Sequence, residues 1–352
     1  MSVNIHETQP RHAESSVRVL PAARITAWRG RAAVAVFAPV VVGLLALLSH
    51  GYLPNGQHLA LSEVSDVPWW RQAYPVLLEG IVAASLLAAA AQAIWRGFRP
   101  WVCHHAPLVA GAVGVLGVWE LVTLKLGWMR LPFFPGPAMV LDGLLEDRVL
   151  LLDSALHSLQ LLLSGYALGV ATGLVSGVLM GWYRNVRYWG MPLLKLLGPI
   201  PATALIPLAM SLFPSSFVSG TALIALAVWF PVTMLTASGI ANVPVSYFDV
   251  ARTLGAGRSY LIFRVAVPAA LPSIFIGLFM GLLTSFLTLI VAETVGVKAG
   301  LGYYLEWQRG YAEYGKVYAA VVIMAVFFST IITVVFKVRD RLLAWQKGTI
   351  RW

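Results

Sequence analysis

Long apolar runs separated by short polar segments dominate the sequence. A helix needs about 20 apolar residues to cross the roughly 30 Å hydrocarbon core of a bilayer. Eight runs approach or exceed that length, at residues 32–49, 76–94, 106–124, 154–182, 191–213, 217–240, 268–292 and 317–336. The pattern predicts an all-α polytopic membrane protein with eight transmembrane helices.

Composition and charge agree with a chain surrounded by lipid. Hydrophobic residues make up 59% of the 352 positions and charged residues only 11%, against about 25% charged residues in soluble domains. The net charge of +10 would suggest a nucleic-acid partner in a soluble protein, but here it is unevenly distributed. Eight spans place both termini on one side, and that side holds 18 of the Lys and Arg residues against 7 on the other. The positive-inside rule predicts cytoplasmic termini and gives no reason to expect nucleic acid.

The polar segments divide the chain into four parts. Residues 1–31 are Arg-rich and lack an apolar run, which predicts a disordered cytoplasmic tail. Residues 32–105 contain the first two spans, which we interpret as an accessory transmembrane hairpin of unassigned role. Residues 106–345 contain the other six spans, and residues 346–352 are predicted to be a cytoplasmic C-terminal tail.

A polar island interrupts the apolar runs at residues 244–268, which read PVSYFDVARTLGAGRSYLIFRVAVP. Ser246 and Asp249 have the S-x-x-D spacing of a capping box, which predicts a helix N-terminus. One apolar face of that helix is predicted to comprise Tyr247, Val250, Ala251 and Leu254. Gly255 stands where a left-handed residue would end the helix.

A second short helix is predicted for residues 258–266, ending against Pro268. The two helices carry Arg252, Arg258 and Arg264 and are too small to bury their apolar face alone. On the charge distribution, the loop faces the cytoplasm. We therefore expect it to bind a partner surface there.

This segment resembles the EAA coupling loop of permease subunits of ATP-binding-cassette (ABC) importers, whose pattern is E-A-A-x3-G-x9-I-x-L-P. The pattern positions are occupied here by Asp249, Val250, Ala251, Gly255, Val265, Val267 and Pro268. The substitutions conserve charge or apolarity, although Asp is shorter than Glu. Four further motifs resemble the nitrate/sulfonate/taurine/bicarbonate branch: Trp119-Glu120, FFPGPAMVL (Phe133 to Leu141), PIPATALIPL (Pro199 to Leu208) and GLGYYL (Gly300 to Leu305). The resemblance covers about residues 106–345.

The resemblance implies a six-helix type I permease core at 106–345, to which the hairpin is added. It implies an inner-membrane assembly of two permease subunits, expected to be a homodimer, with two ABC ATPase subunits and a periplasmic or lipid-anchored substrate-binding protein. A small, anionic solute would cross by alternating access. ATP and Mg would bind the ATPase, and no cofactor or metal is expected in this chain. The implied coupling residues are Asp249, Ala251, Arg252, Leu254, Gly255 and Arg258.

Glycines recur at every fourth position of the 154–182 span. Such a ridge lets a second helix approach closely within a membrane, where no hydrophobic force drives helix association. The glycines are Gly165, Gly169, Gly173, Gly177 and Gly181. We predict that they form a helix-packing surface.

Five prolines between 192 and 214 predict a broken span, because each interior proline removes a helical hydrogen bond. Irregular backbone at membrane depth is tolerated where protein buries it or where it lines a wet cavity. A kinked helix without substrate contact is the alternative. The candidates for the translocation path are Pro199, Pro201, Thr203, Ser211, Thr284, Ser285 and Thr288. The hydroxyls among them can also bond within their own helices.

The sequence contains no nucleotide-binding P-loop and no recognisable hydrolase motif. Ionisable residues near the spans, including Glu120 and Glu293, fall at span ends, where we expect them to reach the interface. Ion-driven carriers usually hold carboxylates or histidines at depth. A secondary carrier is therefore the less favoured alternative, and a non-transporting scaffold is the third hypothesis.

Overall fold

The computed structural model describes residues 22–56 and 72–344, and all regular elements in these ranges are helices. Thirteen α-helices are named here in chain order: α1 Ala22–Tyr52, α2 Ala73–Ile94, α3 Arg99–Glu120, α4 Pro137–Glu146, α5 Arg148–Trp182, α6 Arg184–Leu197, α7 Ile206–Leu212, α8 Ser216–Ala241, α9 Val245–Thr253, α10 Arg258–Tyr260, α11 Val267–Val295, α12 Leu301–Gly310 and α13 Tyr314–Leu342. Short π segments extend α3 (Leu121–Lys125) and join α10 to α11 (Leu261–Ala266).

Six helical segments of the described chain are long and apolar enough to span a membrane. The pair α6 and α7, bent by 81° at the proline-rich break, can make a seventh span, and Val36–Tyr52 is a shorter apolar helix. Together these give the eight apolar segments that the sequence predicts. The all-helical polytopic fold is therefore confirmed.

The chain divides into two compact units, and the boundary along the sequence lies between Leu126 and Gly127. The first unit consists of α1, α2 and α3, with a small apolar core around Val36, Ala89, Val102 and Ala106. Residues 106–124, the first predicted span of the six-span core, pack instead with the hairpin. In addition, α1 begins at Ala22, so the helix includes part of the predicted tail. Residues 1–21 and 346–352 lie outside the described residues.

The second unit is built around α8, which packs between α5 and α11. The glycine ridge of α5 lies against α8. A Cβ added to Gly165 would lie 2.6 Å from Ile224, and one added to Gly173 would lie 2.8 Å from Val232. Gly169, Gly177 and Gly181 likewise lie against α8. These distances leave no room for a side chain, so the glycines allow the close approach.

The pairing along this ridge also sets the topology. From Gly165 to Gly181 on α5, the partners on α8 advance from Ile224 to Ile240, so the two helices run parallel. The chain between them must therefore return across the bundle once. The bent pair α6–α7 supplies that crossing, which makes the proline-rich segment a single broken span.

Candidate coupling loop and translocation cavity

The first helix of the predicted coupling loop, α9, begins directly after Pro244. Pro244 is the N-cap residue and no side chain caps the helix, so Ser246 lies inside the first turn. The predicted capping box is wrong, because the proline sets the helix start two residues earlier. Asp249 instead pairs with Arg252 along the helix, with 3.2 Å between Oδ1 and Nη1. Both side chains are exposed, so this pair contributes little to stability.

Gly255 ends the helix in the predicted left-handed conformation, with φ of +82°. The Gly255 N–H donates to the Arg252 carbonyl (2.9 Å), and the Ala256 N–H donates to the Ala251 carbonyl (3.0 Å). These two bonds form a Schellman motif, which satisfies the last carbonyls of a helix. Gly255 therefore sets the angle between α9 and the segment that begins at Arg258.

One aromatic side chain holds α9 on the bundle. The Phe248 ring packs edge-on against Trp182, at the C-terminal end of α5, with centroids 5.6 Å apart. It also contacts the apolar cluster around Ile240 and Ala266. The sequence pattern does not indicate this contact, because Phe248 lies outside the apolar face that the helical spacing predicts.

The predicted apolar face points away from the bundle. Leu254 is 82% exposed, Val250 62% and Tyr247 56%, and only Ala251 is partly covered. No residue of α9 is buried within the described part of the chain. The loop thus presents apolar side chains, flanked by the exposed Arg252 and Arg258, on a surface that remains uncovered in a single chain.

The second helix of the loop does not end at Pro268. Residues Arg258–Val295 form one continuous helical span, and a π segment at Leu261–Ala266 precedes the proline. The predicted end is wrong because the wider π turn accommodates a residue that cannot donate a backbone hydrogen bond. The coupling loop is therefore continuous with α11.

A cavity of about 500 Å³ lies between the break in the α6–α7 span, α8 and α11. Four of the predicted path residues line it: Pro201, Thr203, Thr284 and Thr288. The remaining lining is mostly apolar and includes Trp229 and Phe230 of α8. A Cβ at Gly198 would overlap the Phe230 ring, so the glycine lets the broken segment approach α8.

The other three path candidates lie elsewhere. Pro199 is not among the lining residues. Ser211 is exposed, and its hydroxyl donates to the Pro207 carbonyl within α7. Ser285 is fully buried and donates to the Leu282 carbonyl. Each residue turns an α-helix by about 100°, so Ser285 lies beside the strip of α11 that Thr284 and Thr288 present to the cavity. The helical register of α11 thus separates residues that are adjacent in sequence.

Hydrogen bonding limits what the cavity hydroxyls can offer a solute. The Thr284 hydroxyl is 3.0 Å from the Ala227 carbonyl, and the Thr288 hydroxyl donates to the Thr284 carbonyl at 2.9 Å. A hydroxyl has one proton, so both present acceptor lone pairs to the cavity. No charged side chain is among the residues that line the cavity. The lining thus offers a small anion few hydrogen-bond donors and no cationic group.

Glu293, at the end of α11, does not reach the interface as predicted but is buried, with 1% exposure. Its carboxylate accepts from the Ser158 hydroxyl (2.7 Å) and the Gly302 N–H (2.8 Å), while the Ser158 oxygen accepts from the Leu301 N–H (2.9 Å). Gly300, with φ of +99°, lies so close that any Cβ would overlap the carboxylate. The G-L-G of the GLGYYL motif therefore holds this acid between α5, α11 and α12.

A second polar cluster holds α12. The Tyr304 hydroxyl donates to Asp147 Oδ2 at 2.7 Å, Gln308 donates to the same oxygen, and Lys316 pairs with Glu146 and Asp147. Burial and the Asp147 carboxylate raise the pKa of Tyr304 above its ordinary value. The phenol thus stays protonated and remains a donor.

In the first unit, Glu120 of the Trp119-Glu120 motif is also buried rather than interfacial. His50 Nδ1 lies 2.6 Å from Glu120 Oε1. The Lys125 ammonium donates to the carbonyls of His50 and Leu53 and to the Asn55 side chain. The prediction of interfacial carboxylates failed because the sequence does not show which groups face one another across helices.

Comparison with known proteins identifies the family of this architecture. Residues 169–345, which include four of the five ridge glycines, the coupling loop and the cavity, match the family described as binding-protein-dependent transport system inner membrane component. That segment is half of the chain and lies wholly within the second unit.

Three curated relatives are similar over most of their length. A Bacillus subtilis protein, provisionally named aliphatic sulfonates transport permease protein SsuC, is 31% identical over 66% of this chain and 85% of its own. Formylaminopyrimidine transport permease protein ThiX of Halalkalibacterium halodurans is 27% identical over 65% of this chain and 92% of its own length. Nitrate import permease protein NrtB of Synechococcus elongatus is 26% identical over 65% of this chain and 84% of its own length. The chain therefore belongs to the binding-protein-dependent inner-membrane components, the permease subunits of ABC transporters, and fits the nitrate/sulfonate branch.

Proposed function

We propose that this permease subunit takes up a small anionic solute by alternating access, driven by a separate ATPase that docks on residues 245–264. The main support is the apolar surface of α9, which is exposed in a single chain. This helix is joined to α11 through the Gly255 turn and one continuous helix. Because α11 lines the cavity, motion of the loop has a direct mechanical route to the solute path.

The proposed roles follow from the placement of each residue. Leu254, with Tyr247 and Val250 beside it, would enter an apolar groove of the ATPase, where burial stabilises the contact by about 25 cal/mol per Å². Ala251, the least exposed of the predicted face, would sit at the base of that contact. Arg252 and Arg258 would meet acidic groups at its rim. Asp249 would hold Arg252 in place through their ion pair.

The solute class is proposed from the relatives and the cavity together. The relatives named for sulfonate and nitrate favour a small anion, and no acidic side chain lines the cavity to repel one. The formylaminopyrimidine relative shows that the family also includes a transporter named for a non-sulfonate solute. Since the cavity has few free donors, we propose that an external binding protein selects the solute and that the cavity only conducts it.

Assembly and orientation complete the proposal. Two copies of the chain would combine with two ATPases in the inner membrane, with both termini and α9 in the cytoplasm. The contact between Trp182 and Phe248 supports part of this arrangement, since it places the predicted cytoplasmic segments 183–195 and 241–267 at the same end of the second unit.

A secondary carrier is the competing function, and burial of Glu120 and Glu293 removes one sequence argument against it. The family membership and the two hydrogen bonds that hold the Glu293 carboxylate favour the ABC permease instead. A proton relay needs a carboxylate that can release its partners, whereas Glu293 is held by a hydroxyl and a backbone amide.

The test is co-purification of an ABC ATPase co-expressed with this chain. Leu254→Glu places a charge in the proposed contact without disturbing the fold, since the side chain is exposed; we expect loss of the ATPase from the purified complex. Trp307→Glu is the matched control, because it places the same charge on an exposed apolar residue of α12, at the opposite end of the second unit. Equal ATPase recovery from both variants would contradict the docking proposal.

A further inference from the structure

The first unit contains a cavity that plays no part in the coupling proposal. It has a volume of about 310 Å³ and lies between α1, α2 and α3. Small residues of α2, namely Ala84, Ser85 and Ala88, form one wall. Small residues usually let helices close on one another, but here α1 and α3 leave the space open. Its lining is predominantly apolar, which suits a hydrocarbon chain.

Aromatic side chains mark one end of this groove. The rings of Phe98 and Trp101 stack at 5.0 Å, and those of Trp101 and His105 at 4.4 Å, so a ladder runs from the start of α3 into the groove. Trp101 is half exposed. Tryptophan collects at the headgroup level of membranes, and this end of the groove therefore lies at headgroup depth.

His105 offers a polar atom at this level. Its Nδ1 lies 2.8 Å from the Trp101 carbonyl, which can only accept a hydrogen bond, so Nδ1 carries the proton. The Nε2 atom remains available to a ligand. The imidazole thus adds a polar group to the mostly apolar lining of the groove.

The charge at this end of the unit has a single sign. Arg99 is exposed at the first residue of α3, and Arg96 precedes it. No Asp or Glu occurs between residues 15 and 62 or between 80 and 119. Basic pockets between transmembrane helices are suited to anionic lipid headgroups.

We propose that the groove of the first unit binds one anionic phospholipid, with an acyl chain against Ala84, Ser85 and Ala88 and the phosphate beside His105 and Arg99. The accessory hairpin is then a lipid-binding element of the permease. This assignment does not depend on the coupling role of α9, and either can fail without the other.

The experiment is a titration of the purified full-length chain with phosphatidylglycerol, read by native mass spectrometry, with phosphatidylcholine as the comparison. We expect one phosphatidylglycerol to be retained per chain and about tenfold weaker retention of phosphatidylcholine. Loss of one arginine near an anionic surface corresponds to about fivefold weaker binding, so Arg99→Gln should show that change. Arg184→Gln, an exposed arginine of the second unit, should show none.

Two variants test the groove itself. Ser85→Phe fills it and should abolish retention, whereas Ala83→Phe adds the same ring at an exposed neighbouring position outside the groove and should retain the lipid. If Ser85→Phe fails to fold, Ala88→Leu replaces it. Glycerol phosphate, which has the headgroup chemistry without an acyl chain, should not displace the lipid. Equal retention of both lipids, equal retention by both phenylalanine variants, or displacement by glycerol phosphate would overturn the proposal.

Discussion

The turn at Gly255 allows the sharpest test of the coupling loop. Its φ of +82° is a left-handed conformation, which a β-branched residue almost never adopts. A Cβ at this position would meet no atom within 4 Å, so any cost of substitution comes from the backbone and not from a clash. Gly255→Val isolates that backbone cost. Gly255→Asp would be less informative, because Asp tolerates this conformation and also adds a charge.

The magnitude follows from the conformation. A left-handed residue with a side chain costs about 1–2 kcal/mol. If the Schellman turn must be closed for docking, that cost lowers the population of the docking-competent loop by about 5- to 30-fold. The fold should tolerate the change, because α9 contributes no buried residue and the turn is exposed. We therefore expect 5- to 30-fold weaker ATPase binding with an unchanged melting temperature.

Gly257 provides the control for this experiment. It lies two residues further along, has an ordinary φ of −76° and also has open space around its Cβ position. Gly257→Ala should bind the ATPase normally. The assay is an affinity titration of the cognate ATPase onto the purified chain, followed by ATP-driven uptake in proteoliposomes. If Gly255→Val and Gly257→Ala bind equally well, the left-handed turn does not set the docking geometry and the reasoning is refuted.

Three further substitutions test the second unit. Gly173→Leu should lower the melting temperature in detergent, because overpacking costs about 1–3 kcal/mol. Gly111→Leu is the control, because that glycine has open space around its Cβ position, and it should leave the melting temperature unchanged. Equal melting temperatures of the two variants would contradict the packing ridge. Glu293→Ala should lower the free energy of unfolding by about 1–3 kcal/mol, because it leaves buried donors unpaired. Faster amide exchange confined to α12 would report the loss, and unchanged exchange would show that Glu293 does not hold α12. Tyr304→Phe removes the bond to Asp147 and should cost about 1.5–3 kcal/mol in thermal unfolding; an unchanged unfolding midpoint would show that the bond contributes little.

Much of the coupling loop was predictable because its determinants are local. The positive φ of Gly255 follows from its position at the end of an apolar-periodic segment, and the exposed face of α9 follows from the spacing of its apolar residues. The start of the helix was not predictable in the same way, because the helix begins after Pro244 although Ser246 has the spacing of a capping residue. The prediction that the second helix ends at Pro268 is wrong because the chain forms a π turn there, which no local signal in the sequence indicates.

The cavity, too, was predictable only in part. Proline density predicts the broken span, and Pro201 and Thr203 line the cavity that it helps to form. Among the three path candidates on α11, however, only the helical register relative to α8 determines which ones face the cavity. That register is set by contacts between residues more than fifty positions apart, and Ser285 consequently lies on the buried side.

The sequence by itself determined the eight apolar segments, the left-handed glycine and the glycine ridge, because each depends on residues within a few turns of one another. Only the tertiary structure decided that the ridge meets α8 in parallel, that Phe248 anchors the coupling loop and that Glu293 is enclosed by α12. The physical reason is that a residue's spacing fixes which side of a helix it occupies, whereas its burial depends on which distant segment covers that side.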